Sequence, residues 1–350
     1  MNWLIIITLS ITIWILLQIY GTLVSIFARK RDVGARYGRG RYALVTGASS
    51  GIGLAMVRRL RAQHVPVCAV CLADGDADAL EAELDAGNAG AAEEAPSMVV
   101  RTDLATEAGV RAVLQRTASL NVGLCVLCAG SGYARALEEF GRAPTQLARY
   151  LHLNVTQTLA LASHFYARWC AQGARGGLVL VSSAMALLPA AHCELYCAAK
   201  AALARFALAL APAARAHRID VLALAPGAVV GTHFFDRVPV AAPPRGTRPA
   251  RPVSLLRPVL ALGQRPEAVV DAVLRALGRP GATVVDTGLL GVAVRLAAQL
   301  LGPNTLAALA HTAVWGAHAL FGWFDDYITL PPQQPLPEES FSENRDNDEK

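Results

Sequence analysis

Lysine is scarce in this sequence, and charge of either sign is sparse. Of the 32 basic residues only three are lysine, at positions 30, 200 and 350. Charged residues make up 17% of the chain and hydrophobic residues 54%, which excludes global disorder and allows a large buried core. The net charge is only +5, and no basic stripe interleaved with aromatic residues is present. Nucleic acid is therefore not an expected partner.

A disulfide framework is also lacking. The seven cysteines are an odd number in a long chain, and most lie in apolar, strand-like runs, which indicates free thiols in a reducing compartment. Cys68 and Cys71, together with Cys125 and Cys128, have the spacing of a zinc quartet. Both pairs fall in predicted strands, where residues three apart point to opposite faces, so no metal site is predicted.

Charge is absent from residues 3–27, which are rich in Ile and Leu. As a helix this segment spans about 37 Å, enough to cross a hydrocarbon core of about 30 Å. No basic residue precedes it and no small-x-small cleavage site follows, so a transmembrane anchor at 1–28 is favoured over a cleaved signal peptide. The basic linker at 29–40 follows the span, so the positive-inside rule places the remainder in the cytoplasm. We expect a single-pass membrane protein, of the endoplasmic reticulum if the cell is eukaryotic.

From residue 42 onward, short β-type runs alternate with longer Ala- and Leu-rich helical stretches. The predicted strands are 43–46, 65–71, 98–102, 123–127, 178–182, 220–224 and 283–285. Strand–helix alternation implies parallel pairing, and strands that are apolar on both faces indicate burial between two helix layers. The predicted fold class is therefore α/β, a doubly wound parallel seven-stranded sheet of the Rossmann type, preceded by an N-terminal transmembrane helix.

The composition changes again after this sheet domain, which is expected to span 41–290. Residues 291–330 form an apolar C-terminal helical region, either a helical pair that caps the domain or a second membrane-contacting surface. Residues 331–350 carry six acids and two bases and are expected to be a disordered acidic tail. Within the sheet domain, the Pro- and Arg-rich residues 238–258 indicate a loop, either a substrate lid or a surface excursion.

A glycine cluster follows the first predicted strand and opens a helix. It reads Thr46-Gly47-Ala48-Ser49-Ser50-Gly51-Ile52-Gly53. Gly47 permits a tight turn, Gly51 lets the backbone approach a pyrophosphate, and Gly53 allows close packing of helix on strand. The helix N-terminus offers free N–H groups and a positive dipole end to phosphates. In this strand–turn–helix context the cluster predicts a dinucleotide site.

A tyrosine and a lysine four residues apart form a second signal, in Tyr196-Cys197-Ala198-Ala199-Lys200. On a helix they share one face, so the phenol and the ammonium lie near each other. A nearby cation lowers the pKa of a phenol from about 10, which makes Tyr196 a usable general acid or base. Lys200 is the sole lysine between Lys30 and Lys350, which favours a specific need for an ammonium group there.

The spacing Gly-x-x-x-Gly-x-Gly, with the Tyr-x-x-x-Lys motif, resembles the short-chain dehydrogenase/reductase family over residues 41 to 290. The resemblance implies an NAD(P)(H)-dependent oxidoreductase that interconverts a carbonyl and a secondary alcohol. It implies four catalytic residues: Asn154, Ser183, Tyr196 and Lys200. Ser183 hydrogen-bonds the substrate carbonyl, whereas the neighbouring Ser182 should be turned away; Asn154 holds a proton-relay water, and Lys200 holds ribose hydroxyls.

The resemblance also implies a set of cofactor-binding residues. They are Thr46, Gly47, Ser49, Ser50, Gly51, Ile52, Gly53, Asp103, Leu104, Ala129, Gly130, Tyr196, Lys200, Pro226, Gly227 and Val229. Asp103 stands where the family has an adenine contact, although a helix N-cap is equally compatible with its position. Thr232 stands one residue later than the family's threonine, so a cofactor contact is not expected of it.

Two departures from the family's pattern affect the cofactor site. The family's Asn-Asn-Ala-Gly is Leu127-Cys128-Ala129-Gly130 here, so hydrogen bonds to the sheet or the ribose are expected to be lost. At the end of the second strand, an acid binds the ribose hydroxyls and an arginine accepts a 2′-phosphate. This chain has Leu72 and Ala73 there, with Asp74 slightly late. The choice of nucleotide is therefore open, with NADP(H) slightly favoured over NAD(H).

A membrane anchor and an apolar C-terminal region favour a lipid-like substrate: ketoacyl, steroid, sphingoid or retinoid. Among anchored relatives, the chain is similar to 3-ketoacyl-CoA reductases, 17-beta-hydroxysteroid dehydrogenases and 3-ketosphinganine reductases. A homodimer through residues 154–171 is one expectation, although Arg168 and Trp169 also fit a monomer's surface. The alternative function is a catalytically weak or inactive cofactor-binding scaffold at the membrane, which the missing asparagines motivate.

Overall fold

The computed structural model describes residues 29–89, 95–132, 137–141, 143–190, 193–232, 262–279 and 282–321, with a few isolated positions before residue 29. Apart from those positions, the predicted anchor at 1–28 lies outside the described residues. The predicted loop at 238–258 and the predicted tail at 331–350 also lie outside them.

Seven parallel strands form one sheet in the order β3-β2-β1-β4-β5-β6-β7. The strands are β1 (Tyr42–Thr46), β2 (Val67–Cys71), β3 (Met98–Arg101), β4 (Val122–Leu127), β5 (Gly176–Val181), β6 (Ile219–Pro226) and β7 (Val284–Thr287). The predicted parallel seven-stranded Rossmann-type sheet is confirmed, with small differences at the strand ends. The strand order reverses between β1 and β4, and in such sheets ligands bind in the crevice at the carboxyl ends of the strands there.

Helices cover both faces of the sheet. They are α1 (Val33–Tyr37), α2 (Gly51–Arg61), α3 (Gly75–Ala89), α4 (Glu107–Thr117), α5 (Leu137–Gly141), α6 (Pro144–Leu151), α7 (Gln157–Gln172), α8 (Glu194–Ala216), α9 (Pro266–Ala276) and α10 (Gly288–Phe321). A π-helical turn (His152–Thr156) joins α6 to α7, and a 3₁₀ turn (Ala184–Ala186) follows β5. Helix α10 is broken at Gly302, whose φ of 71° and ψ of 165° are not helical.

The core consists of two apolar clusters, one on each face of the sheet. Helices α2, α3 and α9 cover the first, and α4, α7 and α8 cover the second. Side chains alternate between the two clusters along each strand, as strand geometry requires. Cys71 and Cys128 contact the first cluster, whereas Cys68 and Cys125 lie in the second. The members of each Cys-x-x-Cys pair therefore point to opposite faces, as the strand period predicts.

Trp169 belongs to the core and not to a monomer's surface, so the interpretation of this residue from the sequence is wrong. It is fully buried, and its Nε1 donates to the Val122 carbonyl at 2.7 Å. Gly176, at the start of β5, lies against the indole: a Cβ at this position would come within 2.2 Å of the ring. Only a glycine opposite the ring leaves room for it, and this contact between a helix and a strand has no signal in the local sequence of α7.

One helix of the described residues, α8, is long and apolar enough to cross a membrane. It packs against β6 and buries Leu203, Ala207 and Ala214 in the second cluster. It also buries Lys200. Its apolar face is therefore used for packing on the sheet.

Candidate active site

The glycine turn after β1 has the geometry that its sequence predicts. Gly47 has a φ of 64°, in the left-handed region, and a Cβ there would lie 3.1 Å from Ala129 Cα. Gly53, in the first turn of α2, approaches so closely that a Cβ would lie 2.0 Å from the Gly47 carbonyl oxygen. Ser49, Ser50 and Ile52 are half-buried beside this turn. The turn, the helix start and the loop after β4 thus form one compact surface at the carboxyl edge of the sheet.

Thr232 also lies at this turn, although its spacing does not predict a place there. Its Cγ2 is 3.2 Å from the position that a Cβ on Gly51 would take. Its Oγ1 is buried and has no hydrogen-bond partner among the described residues. The loop after Pro226-Gly227 is held by a bridge between Val229 and Gln264. The path of the loop brings the threonine to Gly51, although it stands one residue later in the sequence than the family's threonine.

The loop after β4 connects the glycine turn with the predicted catalytic residues. The Ala129 N–H donates to Thr46 Oγ1 at 3.1 Å, which ties this loop to the end of β1. A Cβ on Gly130 would lie 3.0 Å from Asn154 Oδ1 and 3.4 Å from Lys200 Nζ. The structure therefore brings Gly130, Asn154 and Lys200 together.

Asn154 is fully buried in the π-helical turn between α6 and α7. Its Oδ1 accepts from the Ser131 N–H and its Nδ2 donates to the Tyr150 carbonyl, both at 3.1 Å. These two bonds fix the orientation of the side-chain amide. Single π-helical turns within α-helices are frequent at functional sites, because they turn a side chain out of the regular helical register.

Ser183 and Ser182 follow β5 and point in different directions. Ser183 Oγ accepts from the Met185 N–H at 3.2 Å, and Ser183 hydrogen-bonds the Tyr196 side chain. Ser182 is buried, and its Oγ donates to the Lys200 carbonyl at 2.6 Å. Ser183 is therefore the serine that reaches Tyr196, while Ser182 is turned toward the backbone of α8.

Tyr196 and Lys200 lie together near the start of α8. Lys200 is buried, and its Nζ lies 5.5 Å from the centre of the Tyr196 ring and donates to the Val181 carbonyl at 3.0 Å. Burial lowers the pKa of Lys200 to about 8. Burial also raises the pKa of Tyr196 above its ordinary value, although the hydrogen bond with Ser183 opposes this.

The predicted lowering of the Tyr196 pKa is therefore wrong for this structure. The motif places a cation near the ring, as predicted, but removal of the phenol from water disfavours its charged form more strongly. The pKa of Lys200 is itself lowered by burial, which weakens the cation's effect.

Asp103 and Leu104 follow β3. Asp103 Oδ1 accepts from the Ala105 N–H at 2.8 Å, and the carboxylate pairs with Arg149. The N-cap of α4 is Thr106, whose Oγ1 accepts from the Gly109 N–H at 3.0 Å, so the N-cap interpretation of Asp103 is wrong. The Leu104 side chain is buried in the second cluster.

At the end of β2, Leu72 and Ala73 are exposed. Asp74 Oδ1 accepts from the Ala77 N–H at 3.1 Å, so this carboxylate stabilises the start of α3. Arg101, on β3 and in register with Cys71, pairs with acidic side chains of α3. Among the residues just named, each carboxylate near the end of β2 is therefore already engaged by a hydrogen bond or ion pair within the protein.

Helix α10 packs against the loop after β6 at the same edge. A Cβ on Gly227 would lie 2.7 Å from the Gly291 nitrogen, so the two backbones are nearly in contact. Leu289 and Leu300 of α10 are exposed, at 69% and 68%. An apolar helix surface therefore begins beside Pro226-Gly227, next to the predicted active site.

The sequence profile of the short chain dehydrogenase family matches residues 41–239. The chain belongs to this family. It is an NAD(P)-dependent oxidoreductase of the kind that interconverts carbonyls and alcohols, as the motifs predict.

Two curated relatives and one solved structure illustrate the range of the similarity. The chain is 32% identical over 236 residues to a cis-4-hydroxycyclohexanecarboxylate dehydrogenase of Sinomonas cyclohexanicum, covering 67% of this chain and 87% of the relative. It is 27% identical over 197 residues to the 17-beta-hydroxysteroid dehydrogenase type 3 of Homo sapiens, covering 54% and 59%. A solved 7beta-hydroxysteroid dehydrogenase has the same fold, with a TM-score of 0.66 and 19% identity, covering 80% of this chain and 100% of that one.

Proposed function

We propose that this dehydrogenase acts on a lipid-like carbonyl or secondary alcohol and that Tyr196 is its general acid or base. One observation carries the proposal: Ser183 hydrogen-bonds Tyr196, and Lys200 Nζ lies 5.5 Å from the same ring, at the carboxyl edge of the sheet. Ligands of open α/β sheets bind at this edge. The hydroxyls of Ser183 and Tyr196 together suit a single carbonyl oxygen.

In the reductive direction, Ser183 and Tyr196 donate hydrogen bonds to the substrate oxygen and polarise the carbonyl. Burial raises the pKa of Tyr196, which keeps the phenol protonated and ready to donate. Positioned general acid catalysis contributes about 10²–10⁴-fold to the rate. Lys200 places a buried ammonium beside the phenol and favours the anion that forms when the proton leaves. Asn154, held by Ser131 and Tyr150, is placed to position a relay water next to Lys200.

The residues around the glycine turn fit a dinucleotide. Gly47 and Gly53 let the turn, the start of α2 and Ala129 pack closely together, and Thr232 Oγ1 is buried without a partner among the described residues. We assign the diphosphate to the turn from Thr46 to Gly53, the adenine to Asp103 and Leu104, and the nicotinamide side to the loops at 129–130 and 226–229. When bound, the nicotinamide supplies or accepts the hydride.

NADP(H) is the proposed nucleotide. Asp74, the one acid at the end of β2, is used to hold the start of α3. Leu72 and Ala73 have no group that binds two ribose hydroxyls, and they place no negative charge where a 2′-phosphate would lie. The acid that selects NAD(H) in dinucleotide-binding folds is therefore not available in the expected place.

The apolar surface of α10 supports a lipid-like substrate, because it lies beside Pro226-Gly227 and exposes leucines next to the proposed site. Two of the similar proteins are named as hydroxysteroid dehydrogenases. We further propose that residues 1–28 anchor the enzyme in a membrane with the sheet domain on the cytoplasmic side, since substrates of this kind partition into bilayers.

A second candidate is a cofactor-binding scaffold with little catalytic power, which the apolar Leu127 and Cys128 favour. Replacement of Tyr196 by Phe in the full-length protein separates the two functions. If the enzyme proposal holds, Tyr196→Phe lowers kcat by about 10²–10⁴-fold with little loss of affinity for NADPH, because the ring remains and only the hydroxyl is lost. NADPH and NADH fluorescence titrations measure affinity, and turnover is followed with 17-ketosteroids and long-chain 3-ketoacyl thioesters.

The matched control is Tyr166→Phe, because Tyr166 is a half-buried tyrosine of α7 whose ring contacts His217 away from Ser183. It should turn over substrate like the wild type. Turnover that survives Tyr196→Phe would exclude the assigned acid. A folded wild type that binds NADPH and turns over none of these substrates would favour the scaffold.

A further inference from the structure

Gln157 is a buried amide that no motif of the active site includes. It is the first residue of α7, three residues after Asn154, and it is fully buried. Its Nε2 lies 3.3 Å from the Ala129 carbonyl oxygen, 3.0 Å from the Leu153 carbonyl oxygen and 2.8 Å from Thr158 Oγ1. Its Oε1 has no hydrogen-bond partner among the described residues. Burial of an incompletely satisfied amide is unfavourable, so packing alone does not account for a glutamine here.

Ala129 is held from both sides. Its N–H donates to Thr46 Oγ1, at the end of β1, and its carbonyl accepts from Gln157, at the start of α7. The same residue lies 3.1 Å from the position that a Cβ on Gly47 would take. It therefore lies between the glycine turn and α7, and any movement of its peptide unit moves Gly130.

The position of Gly130 in turn affects the predicted catalytic residues. It lies against Asn154 Oδ1 and Lys200 Nζ, and the next N–H, of Ser131, donates to Asn154. A shift of the Ala129 carbonyl would therefore alter both the surface assigned to the nicotinamide side and the packing of Asn154 and Lys200.

The side chains of Leu127 and Cys128 do not hold the loop in this way. Leu127 and Cys128 are apolar at the two positions where the family's pattern has asparagine. Leu127 is buried in the second cluster, and Cys128 packs against the first. The amide of Gln157 therefore gives the loop a side-chain hydrogen bond from α7.

We propose that Gln157 is a positioning residue, whose amide holds the Ala129 carbonyl and thereby keeps the loop after β4 in register with Asn154 and Lys200. It supplies from a helix a side-chain hydrogen bond to a loop in which Leu127 and Cys128 are apolar. The proposal rests on the proposed function, because it assigns the loop at 129–130 to the nicotinamide side.

Trp169 provides a matched control within the same helix. Like Gln157 it is a fully buried residue of α7 whose side-chain N–H donates to a backbone carbonyl at an end of β4, here that of Val122 at 2.7 Å. The two bonds attach α7 to opposite ends of one strand. Gln157→Met and Trp169→Phe each remove one such donor, and Gln157→Met nearly preserves side-chain volume.

The experiment compares these two variants of the full-length protein with the wild type. Both should lower Tm. Only Gln157→Met should raise the Kd for NADPH, by about tenfold, as expected for one hydrogen bond, and lower kcat. Hydrogen exchange at the Gly130 and Ser131 amides should become faster in Gln157→Met and stay unchanged in Trp169→Phe.

The outcomes distinguish failure of this inference from failure of the proposed function. A wild type that is folded and binds neither NADPH nor NADH overturns both. A wild type that binds NADPH, with a Gln157→Met variant that binds it equally well and is only less stable, overturns this inference alone. If Gln157→Met does not fold, Gln157→Asn decides: a raised Kd supports the positioning role, and a wild-type Kd overturns it.

Discussion

The polar side chains at the two edges of the sheet are used differently. At the amino edge, Arg41 donates to the carbonyls of Tyr37, Arg175 and Val122 at distances of 2.6 to 2.7 Å. Arg168 donates to the carbonyls of Thr117 and Leu120 at 3.0 and 2.8 Å. These donors terminate on backbone oxygens at the starts of strands or after a helix. These hydrogen bonds therefore stabilise the fold.

At the carboxyl edge, buried polar groups have hydrogen-bond donors or acceptors that the described residues do not all use. Lys200 has three donors, and within the described residues one of them is used, on the Val181 carbonyl. Gln157 Oε1 and Thr232 Oγ1 are buried and lack hydrogen-bond partners among the described residues. Because incompletely satisfied buried groups are rare in folded proteins, we expect a ligand or water to complete the network at these three side chains.

The largest effect that this comparison predicts comes from exchanging one cation at each edge for methionine. Lys200→Met should lower kcat by about 10²–10⁴-fold, because it removes the ammonium beside the general acid. Arg168→Met should leave kcat unchanged and lower the free energy of unfolding by about 1–2 kcal/mol, because it removes two hydrogen bonds to carbonyls. Steady-state kinetics and urea unfolding of both variants measure this difference.

Loss of activity in Arg168→Met with unchanged stability would contradict the division between the edges. So would Lys200→Met with wild-type kcat. Lys30 offers a further check, since it pairs with Asp271 at 2.7 Å and lies away from Tyr196. Lys30→Met should leave turnover as it is.

Most of the fold could be predicted from the sequence because parallel strands buried on both faces produce continuous apolar runs. The turn at Gly47 and the short distance from Lys200 to Tyr196 could also be predicted, since both depend on local geometry: a strand–turn–helix and an i, i+4 helix spacing. Local geometry determines which neighbours a residue has along the chain.

What could not be predicted depends on how separate elements pack on one another. The burial of Trp169 depends on Gly176 at the start of the next strand, and the place of Thr232 depends on the path of a loop. The direction of the Tyr196 pKa shift depends on how far packing removes the phenol from water. Gln157 has no motif at all, since its partner Ala129 is 28 residues away. These features come from tertiary packing.

The second effect is the pH dependence of stability, which should distinguish Lys200 from the cations of the amino edge. Burial lowers the pKa of Lys200 to about 8, from 10.5. Between these values the unfolded chain binds more protons than the folded one, so the free energy of unfolding should rise with pH, by up to about 3 kcal/mol at about 1.4 kcal/mol per pH unit.

Urea unfolding of the wild type and of Lys200→Met from about pH 7 to about pH 10 measures this effect. The wild type should gain stability relative to Lys200→Met across the window and lose the gain as pH falls toward 8. The series stops near pH 10 because tyrosines of the unfolded chain ionise above it. Parallel curves for the two proteins would show that the Lys200 pKa is not lowered.

The smallest effect concerns Asp220, at the amino end of β6. Its carboxylate accepts from Arg36 Nε at 2.7 Å and from the Tyr37 hydroxyl at 2.9 Å. Asp220→Ala leaves both donors without this acceptor and should cost about 2 kcal/mol of unfolding free energy, with NADPH affinity unchanged. Glu83→Ala, which breaks an exposed pair with Arg58, should cost about 1 kcal/mol or less in the same urea titration. If Asp220→Ala weakened NADPH binding instead, residues at the amino edge would also affect the cofactor site. The proposed difference between the two edges would then be wrong.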